Sequence, residues 1–460
     1  MSAPIRFAQI SDTHTRPDAI ERSQVFVDHL AEIQAGGYDF VIHTGDLMDE
    51  PSAWNARAFK AMISQLRVPV YLVPGNHDVY NPPMGEIEVP WWAKLEVDSS
   101  IEAQYRGWFG PAWYTFSCRG VHFVGIDSLI VNSGLPEEAE QWAWLENTLA
   151  EIALRQPEQI VLFTHRPLFI REPDEELDLT NFVNQYVVIA PPGRDRLLGL
   201  VRQHRVTAVL SGHIHAPWQM SHTWPEGFTT QFVCTGSSGK PSHLAIEQFD
   251  LPLSPAEGLG YHQHWVTEDG LTSHYHRHTH APGEGRWTLG QAWITYCPNG
   301  QTPPLQDGLG WQDVGYRPAA PGWQEADPVS ELTIGGRGGE TYCMRQTFEA
   351  EEDIVALYLE LLTEREVEIY LNGELVYKLD ALDEQPQAWQ SAGGTYSIDS
   401  PLLHLGLNQR LVRMGQNVLG LQARGETATG RESDEYIAYR WLERRQGFNL
   451  ATEVGKAGQL

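Results

Sequence analysis

The chain has 460 residues and a formal net charge of −28, from 60 Asp and Glu against 32 Lys and Arg. That length exceeds one ordinary domain, and a hydrophobic fraction of 42% is ample for buried cores. So large a negative charge repels phosphate backbones at long range, which makes nucleic acid an unlikely partner.

The sequence carries no sign of a membrane or a secretory route. No apolar run reaches the length of a membrane span. After Met1 the chain soon enters its first predicted strand, without the basic head and apolar stretch of a signal peptide. The four cysteines are widely spaced and form no CxxC pair, which suits free thiols without excluding a disulfide. We therefore expect a cytoplasmic protein with no membrane partner.

Five apolar runs in the first half predict buried strands. Each run is rich in Val, Ile, Leu or Phe, which is typical of strands covered on both faces. The runs are Ile5 to Ile10, Phe40 to His43, Val70 to Val73, Ile160 to Phe163 and Val206 to Leu210. Between them lie helical patterns such as Pro136 to Ile152. This alternation predicts an α/β fold in which helices cross over between strands.

A short polar cluster follows each of these runs. In α/β sheets, ligand sites form outside the carboxyl ends of the strands, so distant clusters can meet at one edge. The clusters are Asp12-Thr13-His14, Gly45-Asp46-Leu47-Met48-Asp49, Gly75-Asn76-His77-Asp78, Thr164-His165-Arg166-Pro167 and Gly212-His213-Ile214-His215. Asp, His and Asn are ligands that suit Mn, Fe or Zn, and Mg less well. Two such ions activate water, and phosphate esters are the substrates that this arrangement helps most.

The five clusters, in this order, resemble those of the calcineurin-like metallophosphoesterases, whose pattern is DxH, GDxxD, GNH with a following acid, a lone His and GHxH. The resemblance implies an α/β/β/α sandwich, which we assign to a first domain of residues 1–281. The surroundings of the first three clusters look most like the cyclic-nucleotide and glycerophosphodiester branch of the family. A small phosphodiester is therefore favoured over a phosphomonoester.

The resemblance also implies a role for each site residue. The seven implied metal ligands are Asp12, His14 and His215 for one ion, Asn76, His165 and His213 for the other, and Asp46 as the bridge between them. A hydroxide shared by the two ions would attack phosphorus in line. His77 would donate a proton to the leaving oxygen or hydrogen-bond the phosphoryl group, and Asp49 would orient His77 through its other ring nitrogen.

Structural alternatives exist for each of these residues. The carboxylates can be helix N-caps, and the glycines can be turn residues that need a positive φ. The residues concerned are Asp12, Asp46 and Asp49 for the caps, and Gly45, Gly75 and Gly212 for the turns. A lone His such as His165 usually ligates nothing. Because five clusters occur together in family order, the joint pattern favours the metal site.

Two further features of the first half leave alternatives open. Arg166 either contacts a phosphate oxygen bidentately or is a solvated surface residue. The aromatic segment from Tyr80 to Arg106 shows no clear period and predicts a loop, either over the metals or around a satellite apolar cluster. A second irregular insertion runs from Arg171 to Pro192.

A histidine-rich stretch around Asp269-Gly270 predicts a β-hairpin. Its histidines all have even numbers, so a two-residue loop would place the two strands' histidines on opposite faces and a three-residue loop would align them. They are His262, His264, His274, His276, His278 and His280. An extra metal site is one interpretation, but a solvent-facing polar strand surface is favoured.

From about residue 282 to residue 460 the sequence predicts a separate all-β sandwich. Helical periodicity fades there, and Asn372-Gly373 is a strong hairpin signal. The runs around Thr341 to Phe348 and Gly415 to Leu419 resemble the galactose-binding-like jelly-roll modules of many glycosidases. Such modules bind glycans through aromatic platforms, for which Trp311, Trp323 and Trp389 are available, but a packing or dimerising role is an equal alternative.

Two functions remain open at this stage. The favoured one is a dinuclear phosphoesterase that hydrolyses a small phosphodiester or phosphomonoester. The alternative is a glycan- or partner-binding scaffold with a weakly active phosphatase-like domain. The intact ligand set favours the enzyme, while the sequence leaves the natural substrate, the metals and the oligomeric state undetermined.

Overall fold

The computed structural model describes residues 4–16, 20–80, 97–155, 159–177, 186–240, 258–278, 287–298, 301–319, 322–326, 331–335, 340–350, 357–362, 365–381, 402–407, 411–424 and 436–442. The elements of the first half are β1 (Ile5–Ile10), α1 (Ile20–Gly36), β2 (Phe40–His43), α2 (Ala53–Ile63), β3 (Val70–Leu72), α3 (Asn76–Val79), α4 (Ser99–Phe109), β4 (Tyr114–Cys118), β5 (Val121–Gly125), α5 (Pro136–Leu154), β6 (Gln159–Phe163), α6 (Gly193–Gln203), β7 (Ala208–Ser211), β8 (Trp218–Thr223), β9 (Thr229–Cys234), β10 (Gly260–Thr267) and β11 (Gly270–Arg277). Those of the second half are β12 (Trp287–Pro298), β13 (Gln324–Ala326), β14 (Glu331–Gly335), β15 (Glu340–Ala350), β16 (Leu357–Leu362), β17 (Val367–Leu371), β18 (Glu374–Leu379), β19 (Leu402–Leu407), β20 (Gly415–Arg424) and β21 (Tyr436–Leu442).

Two sheets pack face to face in the first half. The first has the order β11-β10-β1-β2-β3, and the second has the order β4-β5-β6-β7-β9-β8. Between them lies an apolar layer in which Phe7 meets Phe123 edge to face at 5.6 Å between ring centroids. Helices α1 and α2 cover the outer face of the first sheet, and α5 and α6 cover the outer face of the second. These layers confirm the predicted α/β/β/α sandwich.

The five predicted strands are confirmed as β1, β2, β3, β6 and β7, with bounds that differ by at most two residues. Neighbours β1, β2 and β3 run parallel, as do β6 and β7, so their carboxyl ends point the same way. The predicted helix from Pro136 is α5. The loop predicted from Tyr80 to Arg106 is wrong in its last part, because α4 begins at Ser99 after Asp98, whose Oδ1 accepts from the Ser100 N–H at 2.7 Å. Residues 81–96 lie outside the described residues.

The histidine-rich hairpin is confirmed as β10 and β11. Thr267 pairs with Gly270, so the loop has two residues and the two strands' histidines face opposite sides of the hairpin, as that loop length predicts. The preferred solvent-facing interpretation is wrong for His262 and His264, which are buried. His264 Nε2 lies 3.0 Å from Gln9 Oε1, and Gln9 Nε2 donates to Ser211 O at 2.8 Å, which links the two sheets through polar contacts. His280 lies outside the described residues.

Acid should destabilise the fold through its buried neutral histidines. Burial lowers the pKa of His262 to about 3, whereas an unfolded histidine has a pKa of about 6.5. The neutral ring therefore contributes fully to the free energy of unfolding above the pKa of the unfolded state. This contribution is lost as the pH falls towards the pKa of the folded state. For this residue alone we expect the free energy of unfolding to fall by about 1.4 kcal/mol per pH unit within that window.

Urea unfolding measured at several pH values across that window tests this expectation. The His262→Gln variant should show a shallower pH dependence than the wild type. The matched control is Thr272→Gln, because Thr272 lies exposed on the same hairpin and carries no titratable group, so its replacement should leave the slope unchanged. Equal slopes for all three proteins would contradict the assignment.

The second half is all β in its described residues, and every strand pair there is antiparallel. One sheet has the order β13-β12-β15-β20-β17-β18 and the other the order β14-β21-β16-β19. Leu359 and Leu361 of the second sheet share a core with Met344 and Leu421 of the first. The Asn372-Gly373 hairpin is confirmed, with φ of 53° and 87° at the two turn residues. The predicted domain boundary at residue 281 lies outside the described residues.

The two halves of the chain are in direct contact. Helix α1 lies against β19 and α2 lies against β18. The buried guanidinium of Arg57 on α2 donates to Asp380 O at 2.7 Å and to Arg365 O at 2.5 Å. The Lys378 N–H donates to Ser64 Oγ at 2.9 Å. The outer faces of both helices are therefore covered by the β half.

The structure also bears on the expectations for the cysteines and for membrane spans. All four cysteines are free thiols. No helix within the described ranges combines the length and apolar character that crossing a bilayer demands.

Candidate metal centre

Polar side chains from five strand ends meet at one edge of the two sheets. The Asp12 N–H donates to Gly45 O at 2.9 Å, which joins the loops after β1 and β2. The Gly212 N–H donates to His165 O at 2.9 Å, which joins the loops after β7 and β6. The His213 N–H donates to Asp12 Oδ2 at 2.9 Å, and this bond ties the loops of one sheet to those of the other.

The backbone is strained at most of the predicted ligands. Five of them have the positive φ that non-glycine residues rarely adopt. They are Asp12 (54°), His14 (44°), Asp46 (54°), His213 (74°) and His215 (52°). The helix-cap alternative is wrong for Asp46 and Asp49, since α2 begins only at Ala53 and its cap is Ser52 Oγ, which accepts from the Asn55 N–H at 3.2 Å.

The glycines of the clusters leave room for the ligand side chains. Only Gly45 has the positive φ that the turn alternative requires, at 97°. A Cβ at Gly75 would overlap the backbone N and Oδ1 of Asp46, and a Cβ at Gly212 would overlap Ser11 Oγ. At these two positions the absence of a side chain, and not a turn conformation, is what the site requires.

The first group of donor atoms combines two imidazoles with two carboxylates. His14 Nε2 lies 3.1 Å from His215 Nε2 and 3.4 Å from Asp46 Oδ2. His215 Nε2 lies 3.2 Å from Asp12 Oδ1. All four residues are buried, and their donor atoms lie within 4.8 Å of one another.

The second group adds an amide oxygen. His165 Nε2 lies 3.0 Å from His213 Nδ1, 3.2 Å from Asn76 Oδ1 and 3.4 Å from Asp46 Oδ1. The carboxylate of Asp46 therefore presents Oδ2 to the first group and Oδ1 to the second. The structure thus brings together all seven residues that the sequence predicts as ligands.

The spacing of the donor atoms fits metal ions. Ligands at about 2.1 Å from an ion lie about 3 Å apart when they subtend a right angle. The contacts above span 3.0 to 3.4 Å, and in each group nitrogen atoms of two rings face one another. Imidazole nitrogen and carboxylate oxygen are the donor set of Mn, Fe and Zn. The residues present therefore fit divalent metal ions in each group.

Hydrogen bonds fix which ring nitrogen of two histidines faces the donor cluster. His165 Nδ1 lies 2.8 Å from Thr44 O, and because a carbonyl only accepts, this nitrogen carries the hydrogen. His213 Nε2 likewise donates to Tyr186 O at 2.9 Å. The remaining nitrogen of each ring is left with its lone pair towards the second group, which is the state a ligand needs.

Burial sets the protonation of the site. It lowers the pKa of His14 and His213 well below the usual range and that of His165 to about 4, so these rings are neutral near pH 7. Burial raises the pKa of Asp46, and the nearby carboxylate of Asp12 raises it further. A buried carboxylate beside another carboxylate is stabilised by added positive charge, which divalent ions supply.

His77 lies beside the first group. Its Nδ1 donates to the main-chain carbonyl of Asp49 at 2.6 Å, whereas Asp49 Oδ1 is 4.0 Å from the same nitrogen. That carboxylate oxygen lies nearer to His14 Nδ1, at 3.3 Å. Asp49 thus contacts His77 through its backbone, and its side chain faces a predicted ligand instead. Lys240 Nζ and Arg16 Nη1 also approach the Asp49 carboxylate, at 3.3 and 3.4 Å.

Asp78, the acid after the GNH motif, links two of the clusters. Its carboxylate accepts from the backbone N–H of Gly75 at 2.8 Å, of Leu47 at 3.1 Å and of Met48 at 2.9 Å. These bonds hold the loop after β2 against the loop after β3. The sequence pattern contains this acid, but only the structure shows what it binds.

Two residues beside the second group differ from expectation. Arg166 is buried and its Nη2 donates to Val188 O, so the solvated surface alternative is wrong. Tyr186, which sequence reasoning did not single out, has its hydroxyl 3.3 Å from Asn76 Nδ2. It lies in the irregular insertion before α6, where no local pattern marks it, and burial raises the pKa of its phenol above the usual range.

Comparison with known proteins agrees with this geometry. The model of the calcineurin-like phosphoesterase family matches residues 5–217. A probable glycerophosphodiester phosphodiesterase, GpdQ of Arcobacter nitrofigilis, is 30% identical over 248 residues, which is 51% of this chain and 77% of that protein. The serine/threonine-protein phosphatase CPPED1 of Danio rerio is 31% identical over 188 residues, which is 38% of this chain and 53% of that protein. The match thus spans about half the length of CPPED1.

A solved structure shows a weaker similarity. The purple acid phosphatase PPD1 from yellow lupin (Lupinus luteus) seeds is 17% identical, with 60% of this chain and 52% of that chain covered, at a TM-score of 0.43. The sequence matches together carry the assignment: the chain belongs to the calcineurin-like phosphoesterase family.

Proposed function

We propose that this protein is a dinuclear metal-dependent phosphoesterase that hydrolyses a small phosphodiester. The observation that carries the proposal is the position of Asp46, whose two carboxylate oxygens each lie 3.4 Å from a histidine nitrogen of a different donor group. Two ions held about 3.5 to 4 Å apart need such a shared carboxylate. The ligands proposed for them are Asp12, His14 and His215 for one ion, Asn76, His165 and His213 for the other, and Asp46 for both.

The residues around the ions would do the rest of the chemistry. When bound, the ions supply activated water and neutralise charge on the phosphoryl oxygens. Because His77 Nδ1 donates to Asp49 O, its Nε2 is the atom that would carry a proton to the leaving oxygen. Asp49, through that carbonyl and through its carboxylate near His14 Nδ1, would orient both rings. Arg166 is assigned no contact with substrate, since its guanidinium is held by the main chain.

A diester is favoured because, of the two relatives described above, the glycerophosphodiester phosphodiesterase is matched over the larger share of its own length. The phosphatase relative makes a monoester the second possibility. Glycan binding has less support, since Trp311 and Trp323 are buried at 3% and 6% exposure and offer no platform. Trp389 lies outside the described residues. The galactose-binding-like jelly-roll identity of the second half and the cytoplasmic location stay predictions.

Metal reconstitution tests the proposed function. Protein stripped with a chelator and then loaded with Mn²⁺, Fe²⁺ or Zn²⁺ is assayed with bis-p-nitrophenyl phosphate and with p-nitrophenyl phosphate. We expect two ions per chain, turnover that depends on them, and a higher kcat/KM for the diester. Hydrolysis that survives metal removal would contradict the proposal, and so would a fully loaded protein that hydrolyses neither compound. A higher kcat/KM for the monoester would contradict the diester assignment alone.

A further inference from the structure

Tyr186 touches two of the second group's ligands at once. Its hydroxyl accepts a hydrogen bond from Asn76 Nδ2 at 3.3 Å, and its main-chain carbonyl accepts one from His213 Nε2 at 2.9 Å. Its ring also lies against the His213 ring, with centroids 4.8 Å apart. One residue therefore reaches ligands that follow β3 and β7, on different sheets.

The contact with Asn76 accompanies an amide whose oxygen faces the second group. An asparagine binds metal through its oxygen. An amide that rotates freely presents its oxygen and its nitrogen equally well. In the structure Oδ1 lies 3.2 Å from His165 Nε2, while Nδ2 points to the Tyr186 hydroxyl. A phenol hydroxyl can donate or accept; here it accepts from Nδ2, and this bond stabilises the amide with its oxygen towards the second group.

The contact with His213 decides which ring nitrogen is free. Because Tyr186 O can only accept, His213 Nε2 carries the hydrogen and Nδ1 keeps its lone pair. Nδ1 is the atom 3.0 Å from His165 Nε2. The same residue thus hydrogen-bonds the amide of one ligand and fixes the tautomer of another.

We propose that Tyr186 is a positioning residue for the metal ion of the second group. Its hydroxyl raises the affinity of the second group for its ion and leaves the affinity of the first group unchanged. This inference rests on the proposed function, since it requires two ions. The hydrogen bonds described here join Tyr186 to Asn76 and His213, both in the second group. Hydrogen-bonding partners of metal ligands are commonly worth about 10- to 100-fold in metal affinity, so we expect an effect of that size.

Calorimetric titration of the metal-free full-length chain with Mn²⁺ tests the proposal. Tyr186→Phe removes the hydroxyl but keeps the ring and the carbonyl. We expect the second Mn²⁺ to bind about 10- to 100-fold more weakly, the first to bind as in the wild type, and turnover to recover at high Mn²⁺. The matched control is Tyr114→Phe, which removes a hydroxyl that donates to Leu72 O at 2.9 Å and lies outside both donor groups. Both Mn²⁺ affinities should be unchanged in that control.

A second pair of variants, made in Asn76→Asp, distinguishes an effect on amide orientation from a general loss of order in the site. In Asn76→Asp both side-chain ends are oxygens, so rotation of the group changes nothing. Adding Tyr186→Phe to that variant should therefore weaken the second Mn²⁺ much less than it does in the wild-type background. Equal losses in the two backgrounds, equal weakening of both ions, or unchanged affinities would each overturn the proposal. A wild type that binds fewer than two ions would overturn it as well, and would show that the proposed function has failed first.

Discussion

Asp46→Asn is expected to lower kcat/KM for bis-p-nitrophenyl phosphate by about 10³-fold or more, which corresponds to about 4 kcal/mol of lost transition-state stabilisation. Asparagine tolerates the positive φ of this position and has nearly the same shape. It offers only one oxygen, so it cannot serve both donor groups with the charge that Asp46 brings. Metal analysis should show fewer than two ions per chain.

The same variant should keep its fold. Burial and the neighbouring Asp12 raise the pKa of Asp46 in the metal-free protein, so a neutral amide relieves unfavourable charge there. Urea unfolding in chelator should therefore show a variant no less stable than the wild type. Asp195→Asn on α6 is the control, because Asp195 is exposed and pairs only with its neighbour Arg194 among the contacts described. Wild-type turnover with two bound ions in Asp46→Asn would contradict the shared-ligand assignment.

His77→Gln is expected to lower hydrolysis of a diester with an alkyl leaving group by about 10²- to 10⁴-fold. An alkoxide needs a proton as the bond to phosphorus breaks, whereas p-nitrophenolate is a stable anion. The loss should therefore be much smaller with bis-p-nitrophenyl phosphate. Because His77 is outside the proposed ligand set, two ions per chain should remain.

The control for this variant is His274→Gln on the exposed side of the hairpin, which should change neither rate. Equal losses with the two leaving groups would mean that His77 does not act as an acid. A loss of bound metal would instead assign His77 to the structure of the site. Rates and metal content measured on the same samples separate these results.

The sequence alone predicted the parts of this protein that depend on short, continuous segments. The runs that end at Ile10, His43 and Phe163 are mostly apolar on both alternating faces, which is typical of strands between two layers. The ligands follow those strands directly, and parallel pairing then brings them to one edge. Local pattern and sheet geometry predicted that the clusters meet at one edge, whereas the division of the ligands into two donor groups came from the family resemblance.

Other features depend on contacts that no local pattern records. Tyr186 reaches Asn76 across 110 positions of sequence, and half of its role belongs to a main-chain carbonyl that any residue would have. His77 is held by the carbonyl of Asp49 and not by its carboxylate, a distinction that residue type cannot make. The α4 helix was missed because its aromatic residues lack a clear apolar period, although Asp98 supplies a cap.

Helices α1 and α2 lie between the first sheet and the β half, so the first half depends on the second for the cover of these helices. Arg57 would lose the carbonyl acceptors at Asp380 and Arg365 if the chain were cut after the first half. The apolar sides of both helices would then face water, and the fragment would tend to aggregate. The strands of the second half therefore stabilise the half that carries the donor groups, and removing them should destabilise that half even though they supply none of the seven predicted ligands.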